Sequence, residues 1–410
     1  MPVHPMAAVD AQFYWMAAKI PSDQFLLYAF AGEPAHFDAA ADAVSDRARA
    51  CPALTMRVDD GNPLTYPRWV SGTPPPPVIH RLDRADWTGC LDAVAALGER
   101  QLDARVMPWR LHLFPGVTDI PGAGTGTVAV LQVAHALADG GRASALAAWL
   151  FGRPDPVPDV PVVPRGFLPR RAVAAARAHR RLDDDIAAGV IAAKSGSRPL
   201  LSTNAQPDGP RTLRTVVRRR AQLTGPTVTI AVLTAVGTAL AAHLDEPTDT
   251  AGAEVPMAKP GPRLAHNHFH NVSVGLYPRL DPAQRAERIA DELTAARRRA
   301  EHPATAAADR AFAAVPAPLL RWGVGRFDAA TRPDQVSGNT VVSSVHRGPA
   351  DLRFGDTPVV LTAGYPALSP AMGLTHGVHG IGDTVAISVH AAHAALDDVD
   401  AYLRHLEAAL

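Results

Sequence analysis

Val133-Ala134-His135-Ala136-Leu137-Ala138-Asp139-Gly140 is the stretch that decides how this chain is read. Upstream, residues 127–133 (TVAVLQV) are an almost unbroken apolar run of strand-forming type, which predicts a buried strand. Downstream, residues 142–150 (RASALAAWL) place apolar side chains at helical spacing, and Asp139 stands at the N-cap position. The unit is therefore strand, histidine, turn, helix. A strand of this kind delivers one imidazole to a fixed place, which acid–base chemistry requires. A buried strand that ends in histidine is also an ordinary structural event, so the weight comes from the rest of the chain.

At 410 residues the chain exceeds what one hydrophobic core usually serves, and two domains or two halves are expected. Forty basic and 40 acidic residues cancel, so no global field gathers nucleic acid. Cys51 and Cys90 have neither metal-like spacing nor a disulfide framework around them, and both read as buried thiols of a reducing compartment. The N-terminus lacks a basic start followed by an apolar core, which predicts a cytoplasmic protein. The longest uncharged stretch, 221–244, contains Gly225, Pro226 and Gly237 and reads as a loop plus a buried helix. Any membrane contact is then peripheral, at the inner face of the membrane or on lipid bodies.

The first half mixes a helix over 35–50, a helix over 87–100, and strands over 109–114 and 127–135. Gly122, Gly124 and Gly126 lead into a strand rather than opening a helix, so they read as a hairpin tip and not as a phosphate loop. Five prolines in 152–166 forbid a continuous helix or central strand and mark a linker. An Arg-rich helical segment, 167–195, follows; its face reads as solvated and self-compensating, or as a surface for anionic lipid or a CoA phosphate. Strands near 211–220, 271–277, 339–345, 359–363 and 384–390 then alternate with helices from 227, over 282–299 and over 399–410. The division is 1–151, a linker and crossover helix over 152–209, and 210–410, two subdomains of mixed α and β character.

Several segments in order resemble one family, the bacterial wax ester synthase/diacylglycerol acyltransferases, within the superfamily of chloramphenicol acetyltransferase and condensation domains. His4-Pro5-Met6-Ala7-Ala8-Val9-Asp10-Ala11-Gln12-Phe13 is similar to the family's opening, Met107–Leu113 to its Pro-Leu-Trp segment with one register departure, and Asn339–Val345 with Gly348-Pro349 to its C-terminal Ser-Asn-Val-Pro-Gly-Pro strand. Departures stand beside these matches. Ala134 replaces the first of two adjacent motif histidines, Thr229-Ile230 replace an Asn-Asp pair, and Ser344 stands where Asn is usual.

The resemblance implies an α+β fold of two chloramphenicol-acetyltransferase-like subdomains with a channel between them. It implies an O-acyltransferase that moves a fatty acyl group from acyl-CoA to a hydrophobic alcohol, diacylglycerol or a fatty alcohol, with His135 as general base. A carrier-protein-bound acyl donor and a catalytically silent lipid- or partner-binding member are the alternatives. Neutral imidazole suits the task, since it takes the hydroxyl proton and returns it to the leaving thiolate. Asp139 is expected to orient the turn by accepting from an Arg or from helix amides, and Gly140 to permit a φ or a close approach closed to other residues. Ser343 and Asn339 are candidate oxyanion donors and equally ordinary sheet residues. His266, His268 and His270 would share one face of a strand, but Asn267 between them matches a Gly-Asn position of the family where no metal is expected. No cofactor beyond the acyl-CoA substrate is implied.

Overall fold

In the computed structural model, which describes residues 3–410, the apolar run 127–133 is the inner part of strand Gly124–Val133. Every residue from Gly126 onward in that strand is buried. Ala129, Leu131 and Val133 enter one core while Val128 and Val130 enter another. Burial on both faces is why the sequence shows no apolar–polar alternation here.

The strand lies inside a six-stranded sheet ordered Arg353–Phe354, Thr357–Tyr365, Gln24–Ala31, Gly124–Val133, Trp109–Ile120 and Val78–Ile79. A second six-stranded sheet is ordered Phe269–Gly275, Gly252–Ala258, Thr340–His346, Leu374–Ile381, Thr384–Ala392 and Arg211–Arg219. Helices Val228–His243, Pro282–Glu301 and Val399–Ala409 cover the second sheet, contributing Val232, Ile289 and Tyr402 to its core. The two sheets meet through Leu361, Ala363, Leu213 and Ala386. This is the expected α+β architecture of two sheet-based halves.

One boundary differs from the sequence division. Strands Arg353–Phe354 and Thr357–Tyr365 belong to the 210–410 segment but pair in the first sheet, where Leu361 faces Ala29 and Tyr365 faces Phe25. The C-terminal half thus completes the N-terminal sheet, and 210–410 is not a closed unit.

Gly122 and Gly124 adopt positive φ at the hairpin tip, as the hairpin reading requires. The proline-rich segment carries no helix or strand over residues 154–167. Helix Leu168–Ala187 follows with no buried residue, lying against helix Pro303–Ala313. The uncharged stretch becomes helix Val228–His243, capped by the Thr227 hydroxyl, with nine buried residues. Among the described residues, no helix is long and apolar enough to cross a membrane. Cys51 and Cys90 are buried free thiols.

Candidate active site

The strand ends at Val133, and the chain turns at once: Ala134 N donates to the Pro108 carbonyl at 2.9 Å and Leu137 N to the Ala134 carbonyl at 2.8 Å. Ala134, where the resembled family carries a first histidine, is buried in the N-terminal core. The turn is held there by packing.

His135 projects from this turn and lies parallel to the Phe13 ring, with centroids 4.1 Å apart and planes within 5°. Phe269 completes a three-ring cluster, 5.7 Å from His135 and 6.0 Å from Phe13. Phe13 comes from helix Ala8–Met16 and Phe269 from the edge strand of the second sheet, so both halves of the chain hold one imidazole. Its Nδ1 is buried without a hydrogen-bond partner, so the ring's remaining exposure lies away from that atom. Burial lowers the imidazole below its ordinary value of 6.5, although the Asn267 amide and the Asp139 charge oppose this. The direction favours the neutral form of the ring.

The backbone at His135 is fixed by the other half. Asn267 Nδ2 donates to the His135 carbonyl at 2.8 Å and to Asp10 Oδ1 at 2.9 Å. Asp10 accepts two further bonds of 2.9 Å, from the backbone amides of His266 and Asn267. Only 1% exposed, Asp10 is pushed up to about 6 by burial in spite of these donors.

Asp139 finds both kinds of partner that the sequence suggests. It caps helix Gly140–Leu150 by accepting from Arg142 N at 2.9 Å, and it takes a fork of bonds from Arg263, Nη1 to Oδ2 at 2.8 Å and Nη2 to Oδ1 at 3.2 Å. His268 N donates to the same carboxylate at 2.8 Å. Burial alone would raise this carboxyl; Arg263 and the two amides outweigh it and hold Asp139 below the ordinary carboxylate value. No hydrogen bond joins Asp139 to the His135 ring. Its place is under the turn.

Gly140 departs from expectation. Its φ is not positive, and a Cβ there would meet Val345 Cγ2 at 3.4 Å, an ordinary contact. What Gly140 marks is the seam where the start of the helix meets strand Thr340–His346 of the second sheet. Ser343 shares the strand face of Val345, is half-buried, and has no protein hydrogen-bond partner among the described residues. Asn339 is a different case: its amide donates to the Pro199 carbonyl at 3.0 Å and to Asn204 Oδ1 at 2.8 Å, while its oxygen accepts from Gly252 N at 3.1 Å. With both donors committed, Asn339 is withdrawn as an oxyanion donor. On the opposite strand face Ser344 accepts a 2.9 Å bond from the Thr229 hydroxyl, so two of the positions that depart from the family pattern bind each other.

The triplet His266, His268 and His270 does not share a strand face, because the strand begins only at Phe269. His266 is buried against Trp69, with ring centroids 5.1 Å apart. His376 is bonded on both sides, to Thr340 at 2.9 Å and to the Tyr402 hydroxyl at 2.8 Å, and His390 bonds the Pro366 carbonyl at 2.9 Å. His376 and His390 are bonded core histidines, whereas His266 Nδ1 is buried without a hydrogen-bond partner. Asp10, Phe13, Arg263, Asn267 and Phe269 are the site residues that sequence reasoning did not assign. The first two lie in the opening segment already singled out, whereas Arg263 carries no local signal at all.

Residues 266–410 match the family described as WS/DGAT C-terminal domain. No curated protein matches the chain by sequence. Among solved structures, the wax ester synthase/diacylglycerol acyltransferase from Marinobacter aquaeolei VT8 superposes with a TM-score of 0.64 at 17% identity, covering 99% of this chain and 98% of that one. A mutant starter condensation domain of rhizomide synthetase RzmA, in complex with C8-CoA and Leu-SNAC, gives 0.60 at 14% identity over 99% and 93%. Another mutant of the same domain in complex with C8-CoA gives 0.55 at 15% identity over 99% and 92%. The C-terminal match falls on the family that the motifs resemble, and the solved structures share the fold of the whole chain.

Proposed function

Taking residues 266–410 as a WS/DGAT C-terminal domain, we propose that the chain is an acyltransferase in which His135 is the general base. The donor is an acyl-CoA thioester and the acceptor a hydrophobic alcohol, a diacylglycerol or fatty alcohol. The observation that carries the reading is the placement of His135: a neutral imidazole at the end of a buried strand, fixed by Phe13, Phe269 and Asn267 from both halves. The presence of C8-CoA in complexes of the condensation-domain relative supports the choice of donor.

The alcohol gives its proton to the imidazole as its oxygen attacks the thioester carbonyl, forming the C–O bond. Collapse breaks the C–S bond, and the imidazolium returns the proton to the leaving thiolate. Since a thioester is already activated, no enzyme nucleophile is required. The unpartnered Ser343 hydroxyl, on the strand face turned toward the helix after His135, is assigned as an oxyanion donor.

Incubation of the purified protein with long-chain acyl-CoA and a panel of alcohols, while free thiol is followed, tests the reading. We expect thiol release that falls by about 100-fold or more in His135→Ala. A panel that releases no thiol with CoA esters but does so with carrier-bound acyl groups would move the donor to a carrier-protein pantetheine. No His135-dependent release from either donor would leave a binding protein.

A further inference from the structure

A cavity of about 520 Å³ lies behind the loop that holds His135 and does not include His135 itself. That volume falls within the roughly 300–1,000 Å³ of small-molecule sites. Residues 4–10, the proline-rich strap 160–165 and residues from 259 to 313 of the second half enclose it, together with Trp69 and Arg171. Met6, Trp69, Val160, Leu264 and Phe312 make it mostly apolar. His266, Asn267 and His268 also line it, and His268 Nε2 is buried without a hydrogen-bond partner.

The strap is built to cover this space. Pro161 and Pro164 keep it extended, and it is pinned at both ends: Arg142 donates to the Pro158 carbonyl, and Arg165 donates to the Met6 carbonyl at 2.7 Å while its guanidinium lies 3.6 Å from the Tyr66 ring centre. Between the pins Val162 and Val163 stay 61% and 47% exposed, an apolar lip on the cavity.

The uncompensated charge at the cavity is positive. Lys259 is neutralised by Asp309 at 2.8 Å and Arg165 is committed to the Met6 carbonyl and the Tyr66 ring, but Arg171 and Arg310 also line the cavity and have no acidic partner among the described residues. Asp10, the other carboxylate in the lining, is buried and spent on the amides of His266 and Asn267. Two uncompensated guanidiniums beside an apolar chamber fit an amphiphile with one alkyl chain and an anionic head.

We propose that this cavity is a binding site, separate from the His135 centre, for a single-chain anionic amphiphile, with the chain under the 160–165 strap and its carboxylate or phosphate head on Arg171 and Arg310. Its lining shares Asp10 and Asn267 with the support of the His135 turn but leaves out the imidazole itself. Binding therefore survives loss of the catalytic base.

Fluorescence titration with cis-parinaric acid tests it, on the full chain with thermal melts checking each variant. Saturable binding is expected in wild type and equally in His135→Ala. Palmitate and hexadecyl phosphate should displace the probe, and their relative strength separates a fatty carboxylate from a phosphate monoester as the head group. Hexadecanol should displace it at least about tenfold less well. Ala313→Trp, which fills the chamber, and the double variant Arg171→Glu/Arg310→Glu, which reverses the charge, should each weaken binding about tenfold or more. The proposal is overturned by absence of saturable binding, by hexadecanol competing as well as palmitate, by unchanged affinity in folded Ala313→Trp or in the folded charge-reversed protein, or by loss of binding in folded His135→Ala.

Discussion

Asp10 and Asn267 stand 257 residues apart in sequence and meet through two hydrogen bonds of 2.9 Å, one from the Asn267 backbone amide and one from its side chain. The same side-chain nitrogen reaches the His135 carbonyl, so the opening helix, the histidine turn and the second half are locked at one amide. Asp10→Asn puts an NH2 group where N–H donors converge, leaving at least one of them unpaired. A loss of about 1–3 kcal/mol in urea unfolding is expected, together with a fall in kcat at little-changed KM, because the turn rather than substrate binding is disturbed. An unchanged unfolding midpoint would count against the lock.

Arg263 grips Asp139 with a fork that a lysine cannot reproduce. Asp139→Ala removes a helix cap and strands a partly buried guanidinium, so a loss of about 2 kcal/mol or more is expected, discounted for the partial exposure of Arg263. Arg263→Lys keeps the charge and should cost less in stability while still lowering thiol release, since the turn under His135 loosens. Denaturant melts read beside turnover separate the two effects, and equal behaviour of both variants would speak against the fork.

The imidazole of His135 must be neutral to accept a proton, and burial holds its pKa below 6.5. The acid limb of kcat/KM should therefore fall below pH 6.5, with activity level through neutrality. A limb centred above 6.5 would mean that a different group titrates. Phe13→Leu removes the parallel ring and should move the limb toward the ordinary histidine value, as water gains access.

Strand Gly124–Val133 and the cap at Asp139 are legible in the sequence because a continuous apolar run and an N-cap are local signals. Strand Leu374–Ile381 is not. Its Gly377 and Gly380 interrupt the apolar pattern, yet a Cβ at Gly377 would meet the Gly364 carbonyl and one at Gly380 would meet His346 Cδ2 at 2.9 Å. Close approach of neighbours chooses those glycines, and that is a tertiary fact. Return of Thr357–Tyr365 to the first sheet is likewise long-range, as is the pairing of Arg263 with Asp139 across 124 residues. Asn339 misleads for the converse reason: its amide is visible in sequence, but the Asn204 and Pro199 oxygens that consume it are not.

Thr229 and Ser344 hold a 2.9 Å hydrogen bond at the two positions that replace asparagine-type residues of the resembled family. If they form one unit, their effects are not additive. Thr229→Val and Ser344→Ala should each cost about 1 kcal/mol, and the double variant should cost less than the sum by about 0.5–1.5 kcal/mol. A double-variant cost equal to the sum would mean that the pair carries no coupling.

Acid should destabilise this fold, and the sign follows from two opposed sets of buried groups. Burial lowers His112, His376 and His390 to about 4 and holds His266 and His379 well below 6.5. Their contribution to stability is present above the unfolded value of 6.5 and is lost as pH falls toward 4. Asp10 and Asp23, raised from 3.8 to about 6 by burial, act the other way, favouring the fold below 3.8 and losing that contribution as pH rises through 6. Between pH 4 and 6.5 five histidines oppose two carboxyls, so stability should fall as the solution is acidified across that window. His376, fully buried between Thr340 and Tyr402, is the cleanest probe. His376→Gln removes one proton from the linkage, flattening the slope by up to about 1.4 kcal/mol per pH unit. A urea series from pH 4 to 7 measures it, and a slope identical to wild type would exclude His376 as one of the groups responsible.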